Sequence, residues 1–297
     1  MDSVPYAFCE AVCGVLCENN MINKLCEDGA TDHRIWNLAT KRTQERRLDA
    51  EIHVDCRDEK WSYAIEIRGK NELRRGDGRT LSFQELKKLD RQHIHLTYAW
   101  IGSQSVFANR TSTVEEIGEL LKFTAPCVNL SDMMICERCT ISKDDLVRLL
   151  SFYQNATFRQ ICCYYRNRAI EEFLIAQMQT NALEYLTIAG DGWTEDLRLA
   201  IEEFALNKDF RGINVRSPSL VFGRAFFDAL IQKPFFRNRS TFDARFSFDA
   251  EELVTSGFQE IGLPNFDGSM RWIRRDGGSV TILQYESLSI ELKHQLL

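Results

Sequence analysis

The feature that most constrains the fold is a repeat in the C-terminal part of the chain, in which a short apolar run is followed by an amphipathic helical pattern. Four apolar runs of this kind lie at residues 133–136, 158–163, 183–188 and 210–215. Runs two to four start 25 and then 27 residues apart. A unit of this length can bury its apolar face only against neighbouring units. The repeat therefore predicts parallel strands joined by helical crossovers.

The whole region 113–297 is predicted to form a short β/α solenoid of the leucine-rich-repeat type. No unit carries the full consensus of such repeats, so this prediction depends on period and length. Near the end, Trp272 and Ile273 are joined through Asp276-Gly277 to a second apolar run at 280–285. Asp-Gly between two such runs is typical of a β-hairpin, which we expect to cap the edge of the solenoid.

Residues 1–47 show the pattern of three short helices. Pro5 suits the first turn of the first helix, and Phe8, Val12 and Leu16 share one of its faces. A second helix is predicted at 21–26. The third follows Asp32 as N-cap, turns Trp36 inward and ends in the basic stretch 41–47.

Between these regions, residues 48–112 change to period-two alternation, which is typical of strands. Two alternating runs flank a polar turn at 57–60 and predict a hairpin with one buried face. A third run follows a short amphipathic segment, and we expect a small antiparallel sheet packed on a helix. The whole chain is thus predicted to be of the α+β or α/β class. The alternating apolar residues are Ala50, Ile52, Val54 and Cys56, then Trp61, Tyr63, Ile65 and Ile67, then Ile94, Leu96, Tyr98 and Trp100.

Charge and hydropathy restrict the partners. The chain has 37 basic and 43 acidic residues and a net charge of -6, which is the wrong sign for a general nucleic-acid binder. No apolar run approaches the ~18 residues of a membrane-spanning helix. The first apolar stretch lacks the basic start and cleavage site of a signal peptide. We therefore expect a protein of the cytoplasm or nucleus that binds neither nucleic acid nor membrane.

Three residue groups are candidates for chemistry, and each has a simpler explanation. His93 and His95 would share one face of a strand, as in some metal sites, but no third ligand is evident. Asp55 and Glu66 resemble the carboxylate pair of some nucleases, yet Arg68 occupies the position of the expected lysine and cannot act as a general base. Cys136-x-x-Cys139 lacks a second ligand pair. We predict a non-enzymatic protein without metal or cofactor, and a divergent metal-dependent hydrolase using His93 and His95 stays open as an alternative.

Residues 1–12, MDSVPYAFCEAV, resemble the opening of a nematode family of F-box-like proteins. The resemblance continues in DHRIW at 32–36 and in LEYLT at 183–187, and it spans most of the chain. It implies a docking surface for the adaptor of a cullin-RING ubiquitin ligase. The Val-Cys pair that usually precedes the tryptophan of an F-box is replaced by Asp32-His33. The residues that the resemblance assigns to adaptor binding are Val4, Pro5, Phe8, Val12, Leu16 and Trp36.

By this resemblance the protein is expected to be a substrate receptor of an SCF-type ligase. Its N-terminal module binds the adaptor, and its repeat region binds a target protein that the sequence does not identify. The alternative is a protein-interaction module of the same fold without a role in ubiquitin transfer.

Overall fold

The computed structural model describes residues 8–9, 12, 33–57, 60–69, 79–102, 110–136, 141–232, 241–248, 258–260, 270–274, 280–284 and 289–294. It shows an α/β fold with mixed sheets, in which parallel strands alternate with helices. The chain divides into two compact units, Met1–Phe158 and Arg159–Leu297.

The first unit contains one sheet with the strand order β6-β4-β1-β2-β3, and β5 also pairs with β2. Two 3-10 turns, Arg91–His93 and Ala125–Cys127, lead into β4 and β6. The elements are α1 His33–Arg46, β1 Leu48–Arg57, β2 Lys60–Gly69, β3 Arg79–Leu81, α2 Phe83–Leu86, β4 Ile94–Ile101, β5 Arg110–Ser112, α3 Val114–Thr124, β6 Val128–Ile135 and α4 Lys143–Phe152.

The hairpin of β1 and β2 is confirmed, and its register pairs Ile52 with Ile65. The expectation of a single buried face is wrong, because polar residues on the opposite face are buried as well. His53 is 7% exposed, Asp55 3% and Glu66 8%. Strands buried on both faces are characteristic of α/β sheets.

The expectation of a small antiparallel sheet is also wrong, because β4 runs parallel to β1. The polypeptide crosses from β2 through β3 and α2 and reaches the other side of β1, which a longer connection permits. The register shifts at Ala50, where Thr97 Oγ1 donates a hydrogen bond of 3.0 Å to the Ala50 carbonyl. Beyond the shift, consecutive residues Ala99, Trp100 and Ile101 are buried. A period-two pattern alone does not distinguish such an inner strand from an edge strand.

The N-terminal three-helix module is not supported as a unit. In the first predicted helix, the structure describes only Phe8, Cys9 and Val12, all helical. The predicted second helix, 21–26, lies outside the described residues. The third is confirmed as α1, in which Ala39 is fully buried.

The helices of the first unit start where the sequence supplies caps. Thr113 accepts a hydrogen bond from the Glu116 amide at the start of α3, and Ser142 accepts one from the Asp145 amide at the start of α4. Acidic residues in both first turns complement the helix dipole. Phe123 of α3 packs edge-on against Phe83 of α2, with ring centroids 6.0 Å apart.

The second unit has the strand order β7-β8-β9-β11-β15-β14-β13-β12, and β10 pairs with β11. Its strands are β7 Thr157–Tyr164, β8 Tyr185–Ala189, β9 Gly212–Arg216, β10 Val221–Phe222, β11 Thr241–Phe246, β12 Phe258–Glu260, β13 Met270–Arg274, β14 Val280–Gln284 and β15 Ser289–His294. Its helices are α5 Arg168–Gln179, α6 Glu195–Asn207 and α7 Arg224–Gln232.

The predicted succession of parallel strand-helix units is confirmed. Strands β7, β8, β9 and β11 pair in parallel in that order, and a helix lies between each pair of neighbours along the chain. The predicted terminal hairpin is also present as the antiparallel pair β13-β14. Its continuation, β15, pairs antiparallel with β11.

The core of the second unit lies between this sheet and its helices. Phe242 of β11 is fully buried. Its ring centroid lies 5.4 Å from that of Phe226 on α7 and 6.5 Å from that of Phe210, which in turn contacts Phe204 on α6. Helix α5 packs beside α6. The helices therefore cover the face of the sheet to which Phe242 belongs.

Candidate functional site

The residues assigned to adaptor binding fall partly within the described chain. Val4, Pro5 and Leu16 lie outside it. Phe8 is 55% exposed, while the adjacent Cys9 is fully buried. Val12 and Trp36 are half-buried. Phe8 is thus an exposed apolar side chain next to a buried one, and a single exposed apolar residue is by itself common on protein surfaces.

A second exposed apolar side chain lies on α1. Leu38 is 47% exposed, and the exposed residues that follow on this helix are mostly basic. Lys41 forms an i,i+4 pair with Glu45 at 4.0 Å, and both side chains are largely exposed. Such a pair adds little stability. Leu38 was not predicted as a site residue, because it lies away from the apolar stripe of α1 and resembles any other solvated position.

The expectation that His93 and His95 share one face of a strand is wrong, because β4 begins only after His93. His93 belongs to a 3-10 turn, and its Nε2 lies 3.8 Å from Asp90 Oδ2. His95 lies on β4, where its Nε2 is 3.1 Å from the Asn129 carbonyl oxygen. The two imidazoles therefore contact different groups. In the part of the chain that the structure describes, no group of three metal-ligating side chains converges.

His95 instead belongs to a charged network at the start of β1. Its Nδ1 lies 3.2 Å from Asp49 Oδ1 and 2.6 Å from Arg47 Nη2. Arg47 also donates from Nε to Asp49 over 2.9 Å. Burial alone would raise the pKa of Asp49, but the contact with His95 and the Arg47 guanidinium lower it below its usual value. This network holds the end of α1 to the sheet.

The nuclease-like pair Asp55 and Glu66 is not brought together. The hairpin register places Asp55 opposite Ser62, whereas Glu66 lies opposite Glu51. Four residues along a strand separate the two carboxylates by roughly 13 Å. Glu66 is bound instead by Arg68, whose Nη2 lies 3.4 Å from Glu66 Oε2 and 3.1 Å from Glu51 Oε1.

Two aromatic rings lie close to these charged residues of the first unit. His53 lies with its ring centroid 6.1 Å from Tyr98 and 6.2 Å from Trp100, and its Nε2 is 3.9 Å from Glu51 Oε2. Asp55 accepts a hydrogen bond of 3.0 Å from Arg57. Asp55 Oδ1 and Arg68 Nε are buried without a hydrogen-bond partner in the described structure, whereas the other carboxylates of this face contact arginines. Removing one partner of such a buried charge pair is costly.

The cysteines of the described chain are not poised for nucleophilic chemistry. Those the structure describes are free thiols. Burial raises the pKa of Cys127, Cys162 and Cys163, so these thiols are protonated at neutral pH and react poorly. Cys136 is half-buried, and its CxxC partner Cys139 lies outside the described residues.

The second unit has a sheet face of a different kind. The buried side chains on its strands point to the helices, and the alternate ones are polar or aromatic and half-exposed. We call this second set the open face, and it comprises Gln160, Cys162, Tyr164, Tyr185, Thr187, Asn214, Asp243 and Arg245, with Arg216 exposed at the end of β9. These residues lie in runs that were predicted as apolar strands, although their period-two polarity was a usable signal.

The loops after β7 and β8 are fixed by packing. Gly192 has φ +98°, a conformation that L residues rarely adopt, and a Cβ there would lie 2.6 Å from Tyr165. The Tyr165 ring packs edge-on against Trp193 at 4.9 Å. The buried carboxylate of Glu171 accepts hydrogen bonds from the amide and hydroxyl of Thr194, the N-cap residue of α6. The end of the open face is therefore held in a defined shape.

No protein-family model, curated protein or solved structure matches the chain. Among the described helices, none combines the length and apolar character that crossing a membrane requires.

Proposed function

We propose that the protein is the substrate-recognition subunit of an SCF-type cullin-RING ubiquitin ligase. Its N-terminal helices bind the adaptor subunit, and its parallel strand-helix region binds a target protein, as in leucine-rich-repeat receptors. The protein itself carries out no chemical step. Its contribution is to hold a target near the ligase, which requires two separate binding surfaces and no catalytic group.

The observation that carries the proposal is the position of Phe8. This residue lies in the stretch that resembles an F-box and is 55% exposed beside a fully buried cysteine. An exposed aromatic side chain on a helix is a suitable anchor for a hydrophobic groove. Val12 and Trp36, which the resemblance also assigns to the adaptor, keep part of their surface accessible.

The test is adaptor capture by the purified full-length chain, paired with its melting temperature. Replacing Phe8 with Glu is expected to abolish capture and to leave the melting temperature unchanged, because a charge cannot enter an apolar groove without a cost of several kcal/mol. Leu199→Glu, at a residue 50% exposed on α6, is the matched control and is expected to capture the adaptor normally.

If the wild-type chain captures no adaptor, the ligase role is refuted. The same architecture then serves as a protein-interaction module without ubiquitin transfer. The hydrolase alternative gains no support from the geometry, because His93 and His95 contact different groups.

A further inference from the structure

One face of the parallel sheet in the second unit has no helix of the described chain packed on it. The opposite face holds Ile188, Val215 and Phe242, which are at most 4% exposed. Through Phe226 and Phe204, helices α7 and α6 pack on that same buried side. Parallel sheets are usually covered on both faces, and repeat proteins that leave one free use it as a binding surface.

The strand register arranges the open face in rows. Cys162, Thr187, Asn214 and Asp243 lie side by side across four strands. In the next row along the strands, Tyr164 and Arg216 lie on either side of Ala189. The small side chain of Ala189 leaves the tyrosine ring and the guanidinium accessible at either side. Aromatic residues and arginine are the side chains most often found at the centres of protein interfaces.

Tyr185 contributes a second aromatic anchor. Its partner across the strand pair is Gly212, and a Cβ at that glycine would lie 3.0 Å from Tyr185 Cδ1. Glycine therefore lets the tyrosine ring approach the neighbouring strand closely. The ring is half-exposed, which leaves apolar surface available to a partner without requiring a deep pocket.

The charge on this face is unbalanced. Arg216 makes a single side-chain hydrogen bond, from Nε to Asn214 Oδ1 at 3.3 Å. In the described residues neither Arg216 nor Arg245 forms an ion pair, whereas helix-side arginines such as Arg198 bind carboxylates. Arg216 also counteracts the burial that raises the pKa of Cys162, two strands away. Asp243 also lies on this face, so it carries two arginines and one aspartate. Two guanidinium groups that form no ion pair with described residues, on a face where no described helix packs, favour an acidic ligand.

We propose that this open face binds an acidic protein segment, which pairs its carboxylates with Arg216 and Arg245 and packs apolar side chains on Tyr164 and Tyr185. The inference depends on the proposed function for its biological meaning, since the segment is then part of the target. Arginine offers a planar fork of donors that matches a carboxylate. A nucleic acid is disfavoured, because two arginines beside one aspartate supply too little positive charge for a polyanion and the overall charge of the chain is negative.

The test uses the full-length protein and a positional-scanning library of decapeptides as probe. Wild-type protein is expected to select Asp or Glu at two or more positions. Arg216→Glu is expected to weaken binding of the acidic pools about tenfold and to shift selection toward Lys or Arg. Arg168→Glu, which reverses an exposed arginine of α5 on the helical side, is the matched control and should select as wild type does.

Tyr185→Ala provides a second variant that removes contact area without altering charge, and its melting temperature reports folding. The proposal is overturned if wild type selects no acidic residues, if Arg216→Glu and Arg168→Glu behave alike, or if a 20-nucleotide single-stranded RNA binds more tightly than the acidic pools. Adaptor capture is measured on the same preparation and tests only the proposed ligase role. A failure of the ligase proposal can therefore be distinguished from a failure of the acidic-segment proposal.

Discussion

Both units place polar residues on one face of a sheet, and the two faces have opposite properties. In the first unit His53 and Glu66 are buried and Glu51 is half-buried, and the three contact one another or Arg68. In the second unit Tyr185, Asn214 and Arg216 keep part or all of their exposure. Polar residues on a strand thus lie in different environments in the two units. Removing one partner of a buried charge pair is costly, whereas exposed arginines that form no ion pair with described residues are available for binding.

The largest expected effect contrasts two arginines. Arg68→Ala leaves Glu51 and Glu66 close together in a buried site without their cation, which should reduce the free energy of unfolding by about 3 kcal/mol. Arg216→Ala, on the open face, should change it by less than about 0.5 kcal/mol. Urea unfolding of both variants and wild type measures the difference. Equal losses in the two variants would remove the contrast between the faces.

The next effect contrasts two glycines. Gly102 has φ +134°, and a Cβ there would lie 2.6 Å from Cys136 Cβ, so Gly102→Ala should destabilise the first unit by about 2 kcal/mol. At Gly223, in the second unit, a Cβ would meet no heavy atom within 4 Å, so Gly223→Ala should be close to neutral. Thermal melts compare the pair. A neutral Gly102→Ala would show that the junction after β4 is less constrained than the structure indicates.

A smaller effect tests the covered side of the second unit. Glu171 binds the amide and hydroxyl of Thr194 at the start of α6, and Glu171→Ala should cost about 1 to 2 kcal/mol. Glu172→Ala, at the adjacent and exposed position, serves as control. Chemical denaturation reports both.

The smallest effect concerns acid stability. The pKa of Asp49 is lowered in the folded protein, so its ionised form stabilises the fold above the ordinary value of about 4, and this contribution is lost as the pH falls through the folded pKa. Asp49→Asn lacks the contribution. The gap in unfolding free energy between wild type and variant should be below about 1 kcal/mol at pH 7, because the side chain is 46% exposed, and should shrink toward pH 3. A constant gap from pH 7 to pH 3 would contradict this.

Much of the fold follows from local patterns in the sequence. Alternation predicted the hairpin of β1 and β2, and the 25- and 27-residue spacing predicted the parallel units of the second half. The neighbour of each strand in the sheet was harder to predict. Nothing in the sequence around Ile94 indicates that β4 pairs with β1 in parallel. Alternation indicates which face of a strand is buried, and it does not indicate which strand lies beside it.

The candidate sites were harder to predict than the fold. Arg68 bridges Glu51 and Glu66 only through the hairpin register, which the turn at 57–60 did not fix from sequence. The resemblance to F-box proteins selected Phe8, and its exposure is consistent with that choice. Tyr185 and Arg216 could not be identified as candidate binding residues from the sequence, because it does not show that the helices pack on the opposite face of the sheet.

The central proposal is that the chain binds two partners through two separate surfaces. It is tested most directly by immobilising the adaptor, adding wild-type protein, Phe8→Glu or Arg216→Glu, and measuring retention of both the protein and a labelled acidic decapeptide selected from the library. The adaptor is expected to retain the wild-type protein together with the peptide. The Phe8→Glu protein should not be retained by the adaptor but should still bind the peptide in solution. The Arg216→Glu protein should be retained by the adaptor without the peptide. Loss of both activities in either single variant, or peptide that displaces the adaptor, would contradict the account.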